Sequence, residues 1–285
     1  MKPVFFQQID RIRELPSLPA IVFKVNHLLQ DLSTTADQLT RIIETDQAMA
    51  AKILKLVNSS FYGFNSTISS INTAVIILGF NMVQHAVVSF SVMKAFSLKK
   101  NLKRFNIMDF WHHSLAVSVI SKYLADHADK TLSSDCFTAG LLHDIGKLIL
   151  AEYFPEHFEK IWLTMDESPD ISFIDAEKME NNVNHAEIGA YLVGKWLLPQ
   201  PLVDAIRDHH SAFSGDHRIS AIIGIANLLV HTCCPDPEGR IALPDGLSDA
   251  PAFLLPQLQT LPQWYPRLQV EIAATCQFFS AHQNE

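Results

Sequence analysis

The chain has 285 residues, of which 48% are hydrophobic and 18% are charged, and this balance predicts a globular protein and excludes extended disorder. The 30 acidic residues outnumber the 22 lysines and arginines, so the net charge of -8 argues against a nucleic-acid partner. The 4 cysteines lack the spacing of a disulfide framework or a thiolate zinc site, which makes histidine, with 13 copies, the better-represented type of metal ligand.

Residues 1–20 mix charged side chains with apolar ones, so neither a signal-peptide core nor a membrane span is predicted there. Later apolar runs, such as residues 74–80, are too short to cross a bilayer. We therefore expect a cytoplasmic protein with no membrane partner.

Apolar residues recur at spacings of three and four along most of the chain, which predicts an all-α fold. A capping box at residues 35–38 predicts a helix start, and Asp46 predicts the start of the next helix. Serines at 69–70 precede a further helix, and Gly79 supplies a left-handed residue that ends it. Residues 82–96 then predict a long core helix with few charges.

Residues 97–106 are polar and basic, and we interpret them as a connector between an amino-terminal bundle and a second lobe. Helices in the second lobe are predicted at 107–128, 134–151, 155–167, 171–181, 184–197, 200–210 and 217–232. Prolines and glycines then mark a loop-rich tail that ends in a helix from about Pro262 to Ser280. The predicted division is an amino-terminal helical subdomain (1–100), a second lobe (105–232) and a tail (233–285).

His143 and Asp144 lie side by side within a predicted apolar helix. An unpaired buried charge is costly, and a buried divalent ion would satisfy both groups, although a hydrogen-bonded structural role fits this pair alone equally well. Gly140 and Gly146 weaken the helix, which favours close approach of another backbone or a ligand. Lys147 lies on the same face as His143, within reach of an anion held at a metal.

Further imidazoles lie on other predicted helices of the second lobe, namely His113, His185, His209 and His210. Helices that bring imidazoles and carboxylates into a bundle core make sites for first-row metals, so we predict one or two divalent ions of iron, manganese, zinc, cobalt or nickel. Adjacent positions on a helix point about 100° apart. His209 and His210 would therefore bind one ion together only if the helix ends there; otherwise they serve two ions, or one of them orients a ligand.

The ordered set His113, His143-Asp144, His185, His209-His210 resembles the HD superfamily of metal-dependent phosphohydrolases. Six stretches narrow the resemblance to the HDOD family, beginning in order at Leu15, Ile43, Leu56, Ala74, Phe137 and His185. The resemblance spans roughly residues 12–230. It implies an all-α fold with an amino-terminal helical subdomain packed on an HD-like lobe, and a role in bacterial signal transduction or gene regulation.

HDOD proteins are similar in fold to the HD-GYP cyclic-di-GMP phosphodiesterases. By this resemblance, the metal-binding positions are His113, His143, Asp144, His185, His209 and His210, and Lys147 lies near the substrate phosphate. Two features depart from the pattern. Asn227, a neutral and weaker oxygen ligand, stands where the pattern has its last aspartate, and residues 211–216 lack the GYP signature. These departures argue against cyclic-di-GMP hydrolysis of the HD-GYP kind but leave metal binding open.

Two functions fit these observations. The first is a signalling or interaction module whose metal is structural or senses a ligand, with an unidentified signalling protein as its partner; the two departures favour it. The second is a phosphohydrolase acting on a nucleotide or other phosphate ester, in which Asp144 bridges two ions and Lys147 helps to offset the charge on the phosphate. A helical scaffold without metal is a third, less favoured interpretation.

Overall fold

The structure is a computed structural model, and it describes residues 4–12, 15, 19–58, 67–96, 104–168, 170–211, 217–233, 244, 247 and 249–280. These residues form helices and no β-strand, which confirms the predicted all-α class. In chain order the helices are α1 (Val4–Arg11), α2 (Ala20–Leu29), α3 (Ala36–Glu44), α4 (Gln47–Val57), α5 (Ile71–Leu78), α6 (Phe80–Ala95), α7 (Ile107–Ala128), α8 (Ser133–Leu142), α9 (Ile145–Tyr153), α10 (Pro155–Glu167), α11 (Phe173–Asn181), α12 (His185–Lys195), α13 (Gln200–Asp208), α14 (Arg218–Thr232), α15 (Leu255–Gln259) and α16 (Leu261–Ser280).

The chain forms two compact units, one of residues 17–97 with 262–285 and the other of residues 1–16 with 98–261. The division predicted from the sequence has three consecutive segments, whereas each compact unit combines two segments that are separated in the chain. The three-part division stays a prediction. Most of the predicted basic connector, and much of the predicted loop-rich tail, lie outside the described residues.

Helix ends in the unit of residues 17–97 follow from local side chains. Thr35 accepts the N–H of Gln38 while the Gln38 side chain accepts the N–H of Thr35, which confirms the predicted capping box of α3. Asp46 accepts the N–H of Met49 at 3.0 Å and caps α4, as predicted. Gly79 has φ +78° and separates α5 from α6, a conformation that favours glycine.

The predicted helix over residues 134–151 is wrong at its centre. The chain instead forms α8, which ends at Leu142, and α9, which begins at Ile145. Asp144 has φ -96° and ψ 6°, outside the helical region, and its carbonyl accepts the N–H of Lys147 at 2.8 Å. Both short helices bury apolar side chains, so the apolar periodicity continues across the break and does not reveal it.

Two glycines permit the close helix contacts around this break. A Cβ on Gly140 would lie 2.8 Å from Cα of Ser118, so α8 packs against the backbone of α7. A Cβ on Gly146 would lie 2.0 Å from the carbonyl oxygen of His185, so α9 touches the first turn of α12. We predicted close approach of another backbone or of a ligand at Gly140 and Gly146, and the structure shows another backbone at both positions.

Within the described ranges, none of the helices taken singly has the length and apolar character needed to span a membrane. Helices α5 and α6 meet that criterion only when they are taken together, and a bend of 110° separates them.

Candidate metal centre

The predicted ligands come from helices α7, α12 and α13 and from the turn between α8 and α9. His113 lies within α7, His143 and Asp144 form the turn, His185 is the first residue of α12, and His209 and His210 follow the last residue of α13. Because α13 ends at Asp208, both histidines lie just beyond the end of the helix, which is the condition under which they were predicted to share one ion.

Asp144 lies at the centre of this arrangement and is 2% exposed. Its Oδ1 lies 3.1 Å from Nε2 of His185 and 3.8 Å from Nε2 of His209. Its Oδ2 lies 3.4 Å from Nε2 of His143 and 3.6 Å from Nε2 of His113. Each carboxylate oxygen therefore faces its own pair of imidazole nitrogens.

A fifth imidazole joins the first of these sets, because Nε2 of His210 lies 2.9 Å from Nε2 of His185. We call His185, His209 and His210 the Oδ1 side, and His113 and His143 the Oδ2 side. With Asp144, the ligand atoms of each side lie within 4.8 Å of one another. The structure thus brings six of the predicted ligands together in two groups that share one carboxylate.

Three of these imidazoles have a tautomer fixed by their surroundings. Nδ1 of His143 and Nδ1 of His209 each lie 2.7 Å from a main-chain carbonyl oxygen three residues earlier in the chain. A carbonyl only accepts, so each Nδ1 carries a proton, and Nε2 is the nitrogen that offers a lone pair when the ring binds a metal. Nδ1 of His185 donates in the same way to the carboxylate of Glu177 at 2.6 Å.

The resulting lone pairs converge on an anionic group. Oδ1 of Asp144 and Nε2 of His209 are buried without a hydrogen-bond donor among the described residues. Buried acceptors that lack a donor are costly, and lone pairs that face a carboxylate repel it. A cation placed between them removes both costs, and imidazole nitrogens with a carboxylate oxygen are a donor set that first-row divalent metals take. The residues present therefore fit a metal ion.

Burial also keeps several imidazoles neutral. It lowers the pKa of His113 and of His210 to about 3, and it holds the pKa of His209 well below the usual value. Burial opposes the charged form of His185 too, but the charge of Glu177 and the hydrogen bonds to the ring raise its pKa overall. Neutral imidazole is the form that binds a metal, so His113, His209 and His210 are ready as ligands at neutral pH.

Lys147 contacts the Oδ2 side directly. Its Nζ donates to Oδ2 of Asp144 at 2.7 Å and lies 5.2 Å from the ring centre of Phe173. Burial acts to raise the pKa of Asp144, but the charges of His143 and Lys147 hold it well below its usual range. The central carboxylate therefore stays ionised, with an ammonium on one of its two oxygens.

Helix α14 carries Asn227, which was a predicted ligand, and His231, which was not. Asn227 is 8% exposed, and its buried Oδ1 has no hydrogen-bond donor among the described residues. The His231 ring lies 4.7 Å from the His113 ring, with 34° between their planes. The available signal for His231 was its spacing of four residues from Asn227, which puts both on one helix face. A role for Asn227 as a ligand stays a prediction.

Helix α11 supplies two further residues that the sequence analysis missed. The ring of Phe173 lies 5.9 Å from the ring of His185, and Glu177, one turn later, contacts His185 and is fully buried. Several other acidic and amide residues occupy this short helix, so only the spacing of four from Phe173 distinguishes Glu177 in the sequence.

The fold and this centre define an all-α protein with a histidine-aspartate pocket suited to a divalent metal. Residues 15–212 match the family model of the HDOD domain. The chain therefore belongs to the HDOD family, which confirms the resemblance inferred from its motifs. The match ends before Asn227, so α14 and the segments after it lie outside the matched region.

Three solved structures share this fold. An HDOD domain protein of unknown function from Geobacter sulfurreducens is 23% identical, with a TM-score of 0.73 over 94% of this chain and 95% of that one. A candidate phosphohydrolase from Shewanella amazonensis SB2B is 22% identical, with a TM-score of 0.71 over 98% and 97%. A candidate signal transduction protein from Marinobacter aquaeolei VT8 is 22% identical, with a TM-score of 0.69 over 95% and 60%.

A curated relative, an uncharacterized protein from Treponema pallidum (strain Nichols), is 27% identical over 203 residues. The matched region covers 71% of this chain and 39% of the relative, so the chain spans about two fifths of the length of that protein.

Proposed function

We propose that the chain is a regulatory module of the HDOD family whose histidine-aspartate centre binds one or two first-row divalent metal ions. The observation that carries this proposal is the convergence of the Nε2 atoms of His143, His185 and His209 on the ionised Asp144 carboxylate. A site without a cation would leave these acceptors facing one another, which burial makes costly.

Two ions suit the geometry better than one, because the two oxygens of Asp144 serve different imidazole groups. The Oδ1 side offers three imidazoles and the Oδ2 side offers two, and each group is compact enough to surround one ion. Asp144, which both groups share, would then offer one oxygen to each ion. The ligand types suit iron, manganese, zinc, cobalt or nickel.

A regulatory role is supported by the incomplete Oδ2 side. Asn227 offers a neutral amide where a carboxylate would complete the HD pattern, and residues 211–216 lack the GYP signature. A protein of the same fold from Marinobacter aquaeolei VT8 is a candidate signal transduction protein. We propose that metal occupancy, or a phosphate-bearing ligand at the metal, controls binding of a signalling protein partner.

A second candidate function, hydrolysis of a nucleotide or other phosphate ester, is favoured by Lys147. Its ammonium lies 2.7 Å from Oδ2 of Asp144 and the side chain is 21% exposed, so it reaches both the carboxylate and an entering ligand. Bound divalent ions would supply Lewis acidity. Lys147 would donate to a phosphate oxygen and offset its negative charge, a task that a purely structural site does not need.

The first experiment is elemental analysis of protein purified without chelator or affinity metal. We expect one or two equivalents of a first-row metal per chain, and loss of that metal in His143→Ala. His127→Ala is the matched control, because His127 is exposed and its ring nitrogen contacts the carbonyl of Tyr123. Wild-type protein that stays metal-free after reconstitution with each candidate ion would contradict the proposal.

A second experiment separates the two candidate functions. Metal-loaded protein is incubated with nucleotides, cyclic dinucleotides and simple phosphate esters, and phosphate release is measured. The regulatory role predicts no turnover above that of Asp144→Asn. Turnover that Lys147→Ala abolishes, with metal content retained, would establish the hydrolase instead.

A further inference from the structure

Glu177 is a fully buried carboxylate, and both of its oxygens contact the same residue. Its exposure is 0%, Oε2 lies 2.6 Å from Nδ1 of His185, and Oε1 accepts the main-chain N–H of His185 at 3.0 Å. Among the described residues, no lysine or arginine forms an ion pair with this carboxylate. Burying a carboxylate with so few partners costs stability, which indicates that its contact with His185 has a role in the metal centre.

The contact determines which nitrogen of His185 faces the pocket. A carboxylate accepts only, so Nδ1 carries a proton, and Nε2, which holds the lone pair of the neutral ring, lies 3.1 Å from Oδ1 of Asp144 and 2.9 Å from Nε2 of His210. His143 and His209 are oriented by main-chain carbonyls instead. His185 is therefore the imidazole of the three whose orientation a single side-chain substitution can change.

We propose that Glu177 is a positioning residue that fixes the tautomer of His185 and so prepares the Oδ1 side for an ion. This inference rests on the proposed metal binding and adds a residue outside the ligand set to it. Carboxylates that accept the second ring N–H of a metal-bound histidine orient the ring and make it a stronger donor, and their loss typically weakens metal binding by about 10–100-fold.

The substitution Glu177→Gln tests this role at nearly constant volume. The amide has one acceptor oxygen, and the main-chain N–H of His185 can only donate, so the oxygen faces that N–H and the NH2 group faces Nδ1 of His185. A donor placed against Nδ1 favours the opposite tautomer, which puts a proton on Nε2 where an ion would bind. A role limited to capping α12 would lower stability without changing the tautomer.

The experiment titrates metal-free, full-length protein with Zn²⁺ in competition with a chromophoric chelator. We expect Glu177→Gln to bind about 10–100-fold more weakly than wild type, and Glu177→Asp, which keeps the carboxylate, to recover part of that loss. Glu180→Gln is the matched control: Glu180 lies on the same helix and accepts from the hydroxyl of Thr164 at 3.1 Å. Its affinity should equal that of wild type.

The second readout is the tautomer of His185 in metal-free protein, from the ¹⁵N chemical shifts of its ring. We expect an Nδ1–H ring in wild type and an Nε2–H ring in Glu177→Gln. An Nε2–H ring in wild type, or equal Zn²⁺ affinity in wild type and Glu177→Gln, would overturn the inference. Should wild type bind no metal, the proposed function fails separately, while the wild-type tautomer still decides whether Glu177 orients His185.

Discussion

The two oxygens of Asp144 have different surroundings. On the Oδ1 side, the Nδ1 atoms of His185 and His209 are committed to acceptors, so their Nε2 lone pairs face the carboxylate. On the Oδ2 side, the Lys147 ammonium already lies 2.7 Å from the oxygen. Oδ2 therefore has an ammonium beside it, whereas the ionisable neighbours of Oδ1 among the described residues are imidazoles alone.

With these surroundings, the one carboxylate of Asp144 would hold two metal positions of unequal affinity. An ion entering the Oδ2 side meets the positive charge of Lys147 at short range, whereas an ion entering the Oδ1 side meets lone pairs and negative charge. We therefore expect one tightly bound ion on the Oδ1 side and a weaker one on the Oδ2 side.

The largest effect is expected from Asp144→Asn, because this residue serves both sides. The neutral amide removes the central charge, so metal affinity should fall by more than the roughly 100-fold upper value for a partner outside the ligand set. Isothermal titration with Zn²⁺ measures the loss. Asp126→Asn, which removes a carboxylate paired with Lys122 at 2.6 Å, should leave binding unchanged. Retained binding in Asp144→Asn would show that the metal does not depend on this carboxylate, and the Oδ1 and Oδ2 sides would then not be metal positions.

The next largest effect is expected from Gly146→Ala, which acts on the packing beneath the Oδ1 side. The added Cβ would lie 2.0 Å from the carbonyl oxygen of His185, so α9 and α12 must separate. We expect a loss of about 3 kcal/mol in the free energy of unfolding, measured by urea denaturation.

Gly194→Ala is the matched control for this prediction, because a Cβ there meets no atom within 4 Å in the described residues. Gly194 lies inside α12, and alanine in a helix interior is more stable than glycine by roughly 0.5–1 kcal/mol. Equal losses in both variants would show that Gly146 is not needed for close packing.

Much of the fold could be predicted because the signals for helices are local. The capping residues Thr35 and Asp46, and Gly79 between α5 and α6, act within a few residues of their own position. The break at His143-Asp144 could not be predicted, because it depends on the contact of Gly146 with a segment about 40 residues later in the chain. Apolar periodicity reports burial, and burial continues on both sides of that break.

The candidate ligands could be predicted because imidazoles in apolar helices are uncommon enough to stand out, and their order matched a known pattern. Glu177 was missed because it lies on a polar helix, where one more carboxylate carries no signal. His231 was missed because its proximity to His113 depends on the packing of α14 on α7. Residues that support a site are set by tertiary contacts, which one sequence does not display.

The Asn227→Asp substitution tests the weaker metal position, on the Oδ2 side. A carboxylate on α14 would restore the last acidic position of the HD pattern and offset part of the Lys147 charge. We expect the weaker ion to bind about tenfold more tightly, equal to about 1.4 kcal/mol, with the tighter ion unchanged. Titration that resolves both ions measures this difference. Unchanged affinity for the weaker ion would show that Asn227 does not take part in the Oδ2 side.

The smallest effect is expected in the pH dependence of stability on the Oδ2 side. Burial lowers the pKa of His113 from 6.5 to about 3. Below pH 6.5, His113 therefore binds a proton in the unfolded chain but stays neutral in the folded protein until the pH approaches 3. This contribution to stability is complete above pH 6.5 and is lost progressively as the pH falls towards 3. Between pH 7 and pH 6 the loss from this one group is about 0.7 kcal/mol.

The measurement is urea denaturation of metal-free protein at both pH values, for wild type and His113→Gln. The glutamine does not titrate, so the variant should lose about 0.7 kcal/mol less than wild type over this interval. His127→Gln removes an exposed imidazole and should follow wild type. If His113→Gln also follows wild type, the ring of His113 is open to water in solution. The Oδ2 side would then lack the burial that keeps His113 neutral, and the case for a second metal position there would be lost.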